Sequence, residues 1–393
     1  MKLRGNNLVI GLYYHPEAFP PTLNAIGELS GHFDRISVVH RPHLRGTWKY
    51  AANVTPVASG KYITTTHQEQ ASTVRKILFF LRFVLDLLRE CRRLRPRVVL
   101  LYDTYALLAY RLIRPLLWFP HVLWYHNHDV SEITTVRKYS VGWFACKAEK
   151  RLFRHIDIFT VPSAERLPFF PMGDFRGKYF VVPNYPSLAF YRPFYTPGKS
   201  LDVIKLVFQG RIGPGHGLEE IIPLLATPVA GKPLQLVLKG HCHPDYKQAL
   251  QALAERHSVS GSLTFAGYTP YEEVPRVAAA CHIGIGIFSS LETMHVTLGT
   301  ASNKLYEYAA VGLPVLYLGM DHFSRHLGKY RWAVQVEVTS ESIASKIEII
   351  IRDYAFYSTA AYESFVQELN FERCFAPVIA ALTRGADRNN AHE

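Results

Sequence analysis

Short, unbroken apolar runs alternate with helical patterns twice along this chain, and that repetition leaves few architectures open to it. In the first stretch Leu8–Tyr13, Arg35–His40, Val98–Tyr102, His121–Tyr125 and Ile156–Val161 read as strands, with Phe180–Val182 as a shorter one. Helical patterns fall between them at Thr22–Leu29, Thr73–Leu94, Thr104–Leu117 and Ser140–Arg154. A strand that is apolar on both faces needs cover on both. The expectation is therefore an α/β fold, with a parallel sheet between layers of helices.

The turn-rich passage VPNYPSLAFYRPFYTPGKS, with Pro183, Pro186, Pro193 and Pro197, reads as a linker. Beyond it the alternation restarts. Strands are expected at Ile204–Gln209, Leu234–Lys239, Leu263–Phe265, Ile283–Phe288 and Pro314–Leu318. Helices are expected at Gly217–Leu225, Tyr246–His257, Tyr271–Ala280, Asn303–Val311, Ser340–Tyr354 and Glu372–Leu382. A length of 393 residues also exceeds what one core supports. This reading divides the chain into domains 1–190 and 191–370, with a last helix and polar tail over 371–393. Two open α/β sheets joined in this way would face each other across a cleft, with ligands outside the carboxyl ends of the strands.

The 44 Lys+Arg against 32 Asp+Glu give a net charge of +12, which suits an anionic partner. The basic residues form no nucleic-acid reading motif, so nucleic acid is not the expected one. The five cysteines stand singly, without a CxxC pair, so a reducing, cytoplasmic location is expected. MKLRGNNLVIGLYYHPEAF reads as a first strand and not as a signal peptide. The most apolar stretch, Ile77–Leu88, is broken by Arg82 and Asp86 and followed by RECRRLRPR. It fits a peripheral helix lying on anionic lipid at the inner face of a membrane. A core helix with a basic, solvated end fits it as well.

Two stretches of the second half suggest a phosphate site. LVFQGRIGPGHGLEEIIPLL is a strand, a loop with Gly210, Gly213, Gly215 and Gly217, and then a helix. Its glycines let backbone amides come close to a diphosphate, and Arg211 supplies directed donors. The loop matches neither a P-loop nor a dinucleotide fingerprint. GTASNKLYEYAAVGLPVLYL, Gly299–Leu318, reads as a loop, a helix capped by Asn303 and stopped at Gly312, and a buried strand. Lys304 and Glu307 fall near the start of that helix.

The order GRIGPGHGLEEII, QLVLKGHCHPDY, SLTFAGYTPYEEVPRVAAACHIGIGIF, ASNKLYEYAAVGLPVL resembles the nucleotide-sugar-binding half of GT-B glycosyltransferases, in particular glycosyltransferase family 4. YYHPEAFPPTLNAIGELS, WYHNHD and FVVPNYP resemble the first half of the same family more loosely. The resemblance implies two Rossmann-like domains and a nucleoside-diphosphate sugar as co-substrate, with no metal. It implies that Glu307 binds the donor ribose, and that Gly210, Arg211, His216 and Lys304 surround the donor diphosphate. The loop after Tyr268 would frame the nucleobase. His128, with His126 as its alternative, would be the catalytic-site histidine that contacts the transferred sugar. The region of Pro20, Pro21, Thr22 and Asn24 would meet the acceptor.

The chain departs from the family pattern at two places. The second glutamate common eight positions before Glu307 is replaced by Gly299, with Glu292 upstream as a substitute. The basic residue common in the loop after Arg211 is replaced by His216.

The implied activity is sugar transfer to an acceptor hydroxyl with retention at the anomeric carbon. The acceptor would be a glycan or lipid-linked, in surface polysaccharide or glycolipid assembly. A nucleotide-sugar epimerase of the same architecture and a non-catalytic nucleotide-sugar binder are the alternatives. HCHPD, at His241, Cys242, His243 and Asp245, and the His126–Asp129 run also carry metal-ligand residue types.

Overall fold

The structure is a computed structural model that describes residues 6–43, 46–62, 64, 71–289 and 296–389. It consists of two compact units. The first takes the chain up to Pro183 together with the segment from Cys374 on, and the second is Asn184–Arg373.

The first unit holds a 7-stranded sheet built from β1 (Asn7–Leu12), β2 (Arg35–His40), β3 (Val54–Ala58), β4 (Val98–Tyr102), β5 (Val122–His126), β6 (Ile158–Val161) and β7 (Lys178–Val181). All neighbours pair in parallel, in the order β3-β2-β1-β4-β5-β6-β7. Strand order reverses between β1 and β4, and in such a sheet a crevice opens beyond the strand ends at that point. The helix Thr73–Leu94 matches its expected bounds; Ser72 accepts the Arg75 amide at its start, and Arg95 closes it in the left-handed region at φ 42. It buries Phe80, Phe83, Leu87, Cys91 and Leu94 and leaves Val74, Ile77, Leu78, Leu81 and Leu85 exposed. The C-terminal segment packs back here: Phe375 lies 5.8 Å from the buried Trp124, and Arg97 Nη2 donates to Leu382 O at 3.0 Å.

The second unit holds a 6-stranded parallel sheet of β8 (Ile204–Gln209), β9 (Leu234–Lys239), β10 (Leu263–Gly267), β11 (Ile283–Gly286), β12 (Val315–Leu318) and β13 (Ala333–Val336). The order is β10-β9-β8-β11-β12-β13, so its reversal falls between β8 and β11. The proline-rich passage from Asn184 packs onto this unit. Asn184 donates from N to Thr300 O (3.0 Å) and from Nδ2 to Ala301 O (2.7 Å), Tyr191 is buried, and Tyr195 stacks on Tyr362 at 3.7 Å.

Several elements differ from expectation. Strands β3 and β13 and the helices Asp321–Leu327 and Tyr354–Gln367 have no counterpart among the expected elements. The helix expected over Thr104–Leu117 ends at Ile113 and gives way to a 3-10 turn, Arg114–Leu116, where Pro115 can supply no amide. Asn303 does not cap its helix. Ser302 occupies the N-cap without a side-chain bond, and Asn303 is the first helical residue.

Candidate functional site

In the second unit, β8 ends on Gln209 and delivers Gly210 to the reversal point at φ 122, a conformation reserved for glycine. A side chain at 210 would meet Lys304 Nζ at 3.4 Å, so the lysine lies directly against the turn. The Lys304 ammonium sits 3.8 Å over the Phe208 ring and 4.6 Å over Phe288. Burial brings its pKa down to about 7, with Glu307 pulling the other way. Lys239, at the end of β9, is also buried and lowered for the same reasons.

Glu307 is 5% exposed and accepts a hydrogen bond from Gln209 Nε2 at 2.5 Å. Burial raises its carboxyl to about 7, against the lowering effects of Tyr191, Lys239, Gln209 and Lys304. Two polar atoms near this carboxylate or along its helix are buried without partners: Gln209 Oε1 and Asn303 Oδ1. Buried polar groups are nearly always paired, so such a set is equipped for a ligand bearing hydroxyl donors.

The glycine loop is fixed by its contacts with the chain after β11. Ser289 N donates to Gly215 O at 3.0 Å, and His216 Nδ1 bonds to Ile287 O at 2.9 Å. A carbonyl partner means that His216 Nδ1 carries the proton. Arg211 is exposed on this loop, and Tyr268 is 66% exposed beyond β10. Gly299 lies at φ 41, which strains any other residue, so the position lacking the family's second glutamate has glycine geometry. Glu292 lies outside the described residues.

The first unit brings its two histidines to the carboxyl end of β5. His128 is buried between Phe19 and Tyr102, with ring centroids at 4.3 and 4.8 Å. Its amide donates to Asp103 Oδ1 and its Nδ1 bonds to Asp103 Oδ2, both at 2.8 Å. The carboxylate places the proton on Nδ1 of the neutral ring, so Nε2 accepts from Thr22 Oγ1 at 2.8 Å. A hydroxyl, an imidazole and a carboxylate in line also describe a hydrolytic nucleophile. Thr22 is wholly buried, however, so here the line is a positioning device.

Both ring nitrogens of His128 are thus taken within the protein. His126 bonds through Nδ1 to Thr160 Oγ1 (2.9 Å), while its buried Nε2 has no partner. Burial holds it neutral, well below the usual imidazole range, and His128 and Arg166 add to that. Of the two, His126 offers the open ring nitrogen.

The structure therefore gathers Gly210, Lys304 and Glu307 with Gln209 and Lys239, two residues the sequence reading did not select. Each is a polar residue that follows three apolar ones and directly precedes a glycine, Gly210 or Gly240, and that was the signal for them. Asp103, missed as well, is the acid directly after β4. Among the described residues, no three His, Cys, Asp or Glu side chains converge as a metal site. His243 and Asp245 of HCHPD pair at 3.5 Å on the open surface.

Several solved structures match nearly the whole chain. Sucrose-phosphate synthase from Thermosynechococcus elongatus aligns with 98% of this chain and 100% of its own, at TM-score 0.68 and 13% identity. HepE of Anabaena, in complex with UDP and glucose, aligns over 96% of this chain and 100% of its own, at TM-score 0.68 and 14% identity. WaaG, a glycosyltransferase involved in lipopolysaccharide biosynthesis, covers 97% and 98%, at TM-score 0.59 and 12% identity. No protein-family model matches the chain, and no curated protein sequence does. The likeness is one of architecture: two Rossmann-like units with parallel sheets, the fold of GT-B glycosyltransferases.

Proposed function

We propose that this protein is a glycosyltransferase that moves a sugar from a nucleoside diphosphate to an acceptor hydroxyl, with retention at the anomeric carbon. The observation that carries the reading is Glu307, a buried carboxylate beside unpaired polar groups at the switch point of the second sheet. A carboxylate accepts from both ribose hydroxyls at once. Lys304, Lys239, Arg211 and the loop amides then stabilise the negative charge that grows on the departing diphosphate. His216 borders the diphosphate, and Tyr268 borders the base. His126 Nε2 meets the transferred sugar, with His128 held in place behind it. The leaving phosphate takes the acceptor proton, so the scheme calls for neither a protein base nor a metal. The complex of the similarly folded HepE with UDP and glucose supports a donor of that type.

The test is incubation with nucleotide sugars, with and without soluble and lipid-linked glycan acceptors. Acceptor-dependent release of nucleoside diphosphate is expected. Conversion of the donor sugar without acceptor would make the protein an epimerase, and tight donor binding without turnover would make it a binder.

Lys304 and Glu307 make the donor site sensitive to protons in a way calorimetry can read. At pH 8 Lys304 is mostly neutral, and the diphosphate draws a proton onto it. At pH 6 Glu307 is mostly protonated, and the ribose hydroxyls favour its charged form. Binding of a nucleotide sugar, whose phosphates do not titrate in this range, is expected to take up protons at pH 8 and release them at pH 6. Binding heats in buffers of different ionisation enthalpy report the sign; the same sign at both pH values would refute this account.

The proposed setting is surface polysaccharide or glycolipid assembly at the cytoplasmic face of a membrane. In support, Val74, Ile77, Leu78, Leu81 and Leu85 form an exposed apolar row flanked by Arg75, Lys76, Arg82 and Arg89. No helix among the described residues is long and apolar enough to cross a membrane. Arg82→Glu with Arg89→Glu is expected to weaken co-sedimentation with anionic vesicles at least about tenfold. Unchanged sedimentation would rule out docking by this face.

A further inference from the structure

Arg41, directly after the last residue of β2, is 0% exposed. Its Nη1 donates to Ser59 O at 2.7 Å, while Nε and Nη2 have no partner. Those two N–H groups lie side by side on one edge of the planar guanidinium, the edge that grips an oxyanion with two parallel bonds. The faces of the group are occupied too, with its Cζ 4.6 Å from the Phe79 ring centroid and 5.7 Å from that of Tyr13. The plane is therefore clamped, and the buried fork has no hydrogen-bond partner.

Nearby carboxylates are committed to other groups. Asp86 accepts from Ser59 Oγ (3.0 Å) and pairs with Arg82 (3.7 Å) and Arg89 (3.4 Å). Glu90 accepts from Ser37 and Arg93, and Glu17 from the amides of Thr47 and Trp48. What approaches Arg41 instead is a second cation. A side chain at Gly60 (φ 91) would lie 3.0 Å from Arg41 Nη1 and 3.6 Å from Arg82 Cδ, so both arginines border the same half-buried glycine. Burial and Arg82 together hold Arg41 below the usual guanidinium range. A buried charge with an unfilled bidentate edge is unfavourable on its own, and an oxyanion seated on it offsets that.

We propose that Arg41 is a binding residue for a phosphate or carboxylate group, gripped through Nε and Nη2. It stands at the carboxyl end of β2, the end of an open α/β sheet where ligands bind. Resting on the transferase reading above, the group belongs to the acceptor, which is then an anionic molecule. Arg41 plays no part in holding the donor.

Thermal unfolding of the full chain with methyl phosphate or acetate, at ionic strength matched with chloride, tests this. A saturating anion is expected to raise the wild-type Tm by about 2–4 °C. The rise vanishes in Arg41→Met, and it falls by at least about half in Arg41→Lys, which keeps the charge but lacks the fork. Should Arg41→Met fail to fold, Arg41→Lys carries the comparison. An undiminished rise in the variants, or no wild-type response to either anion, overturns the proposal. The anion giving the larger Arg41-dependent rise names the group. A parallel titration of UDP against Lys304→Met keeps the two readings apart. Losing the Arg41 effect leaves the donor site standing, and losing the Lys304 effect leaves Arg41 standing.

Discussion

Glu307→Gln is expected to weaken nucleoside-diphosphate binding by about 10–100-fold, the range for hydrogen bonds to a charged acceptor. The same change is expected to make the protein more stable above neutral pH. The carboxyl is raised from 4.5 to about 7, so the folded state holds its proton more tightly than the unfolded chain. The contribution of Glu307 to stability is then greatest below pH 4.5, declines as pH climbs through 7, and stays lower beyond it. Glutamine keeps the shape and the partner Gln209 and carries no buried charge. Wild type and variant should unfold alike at pH 4, and the variant should gain about 1–2 kcal/mol at pH 8. Urea unfolding at the two pH values, with a binding titration, checks both halves. A variant that binds as tightly as wild type would remove Glu307 from the ribose.

Asp103→Asn is expected to lower turnover by about 100-fold with little change in KM. Asp103 lies in the left-handed region at φ 63, which asparagine tolerates, so the backbone should hold. The amide cannot accept from both His128 N and Nδ1. With an NH2 group facing Nδ1, the imidazole proton moves to Nε2 and faces the Thr22 hydroxyl as a donor. The loss of charge-assisted bonds should cost about 1–2 kcal/mol of stability. Thr22→Val leaves Asp103 and Nδ1 untouched and should lower turnover only about tenfold. Equal turnover in wild type and Asp103→Asn would make the aspartate–histidine pair a purely structural fixture.

The interior of both sheets was legible because β4 and β11 are buried and apolar along their length, and β1 and β8 carry the buried apolar runs Leu8–Leu12 and Leu206–Phe208. Their edges were not. In β3, VTPVA, only Val54 is buried, and in β13, AVQV, only Val336 is, so neither carries a signal stronger than a loop's. The helix Tyr354–Gln367 buries Tyr354, Ser358, Ala361 and Phe365, a helical spacing hidden by two small residues. A side chain at Gly312 would come within 3.1 Å of Ser358 Oγ, which explains the need for small groups at that contact. Prolines marked the passage after Pro183 as turns, but its tyrosines decide its packing, and aromatic content does not announce a partner.

At the site, Glu307 and Lys304 were legible through an ordered set of motifs. Gln209, Lys239 and Asp103 were not, because their meaning comes from strands distant in sequence ending side by side. The relative standing of His126 and His128 required knowing which ring nitrogens were already bonded.

Because the segment from Cys374 on belongs to the first unit, the second is in effect an insertion within the first. On the ribosome this reverses the usual order. The part made first cannot be completed until everything from Asn184 to Arg373 has emerged, while the later unit can close as soon as its own residues are free. During that interval Trp124 lacks the ring of Phe375, and Arg97 lacks the carbonyl of Leu382. A chain cut before Cys374 would leave the first unit permanently without those contacts.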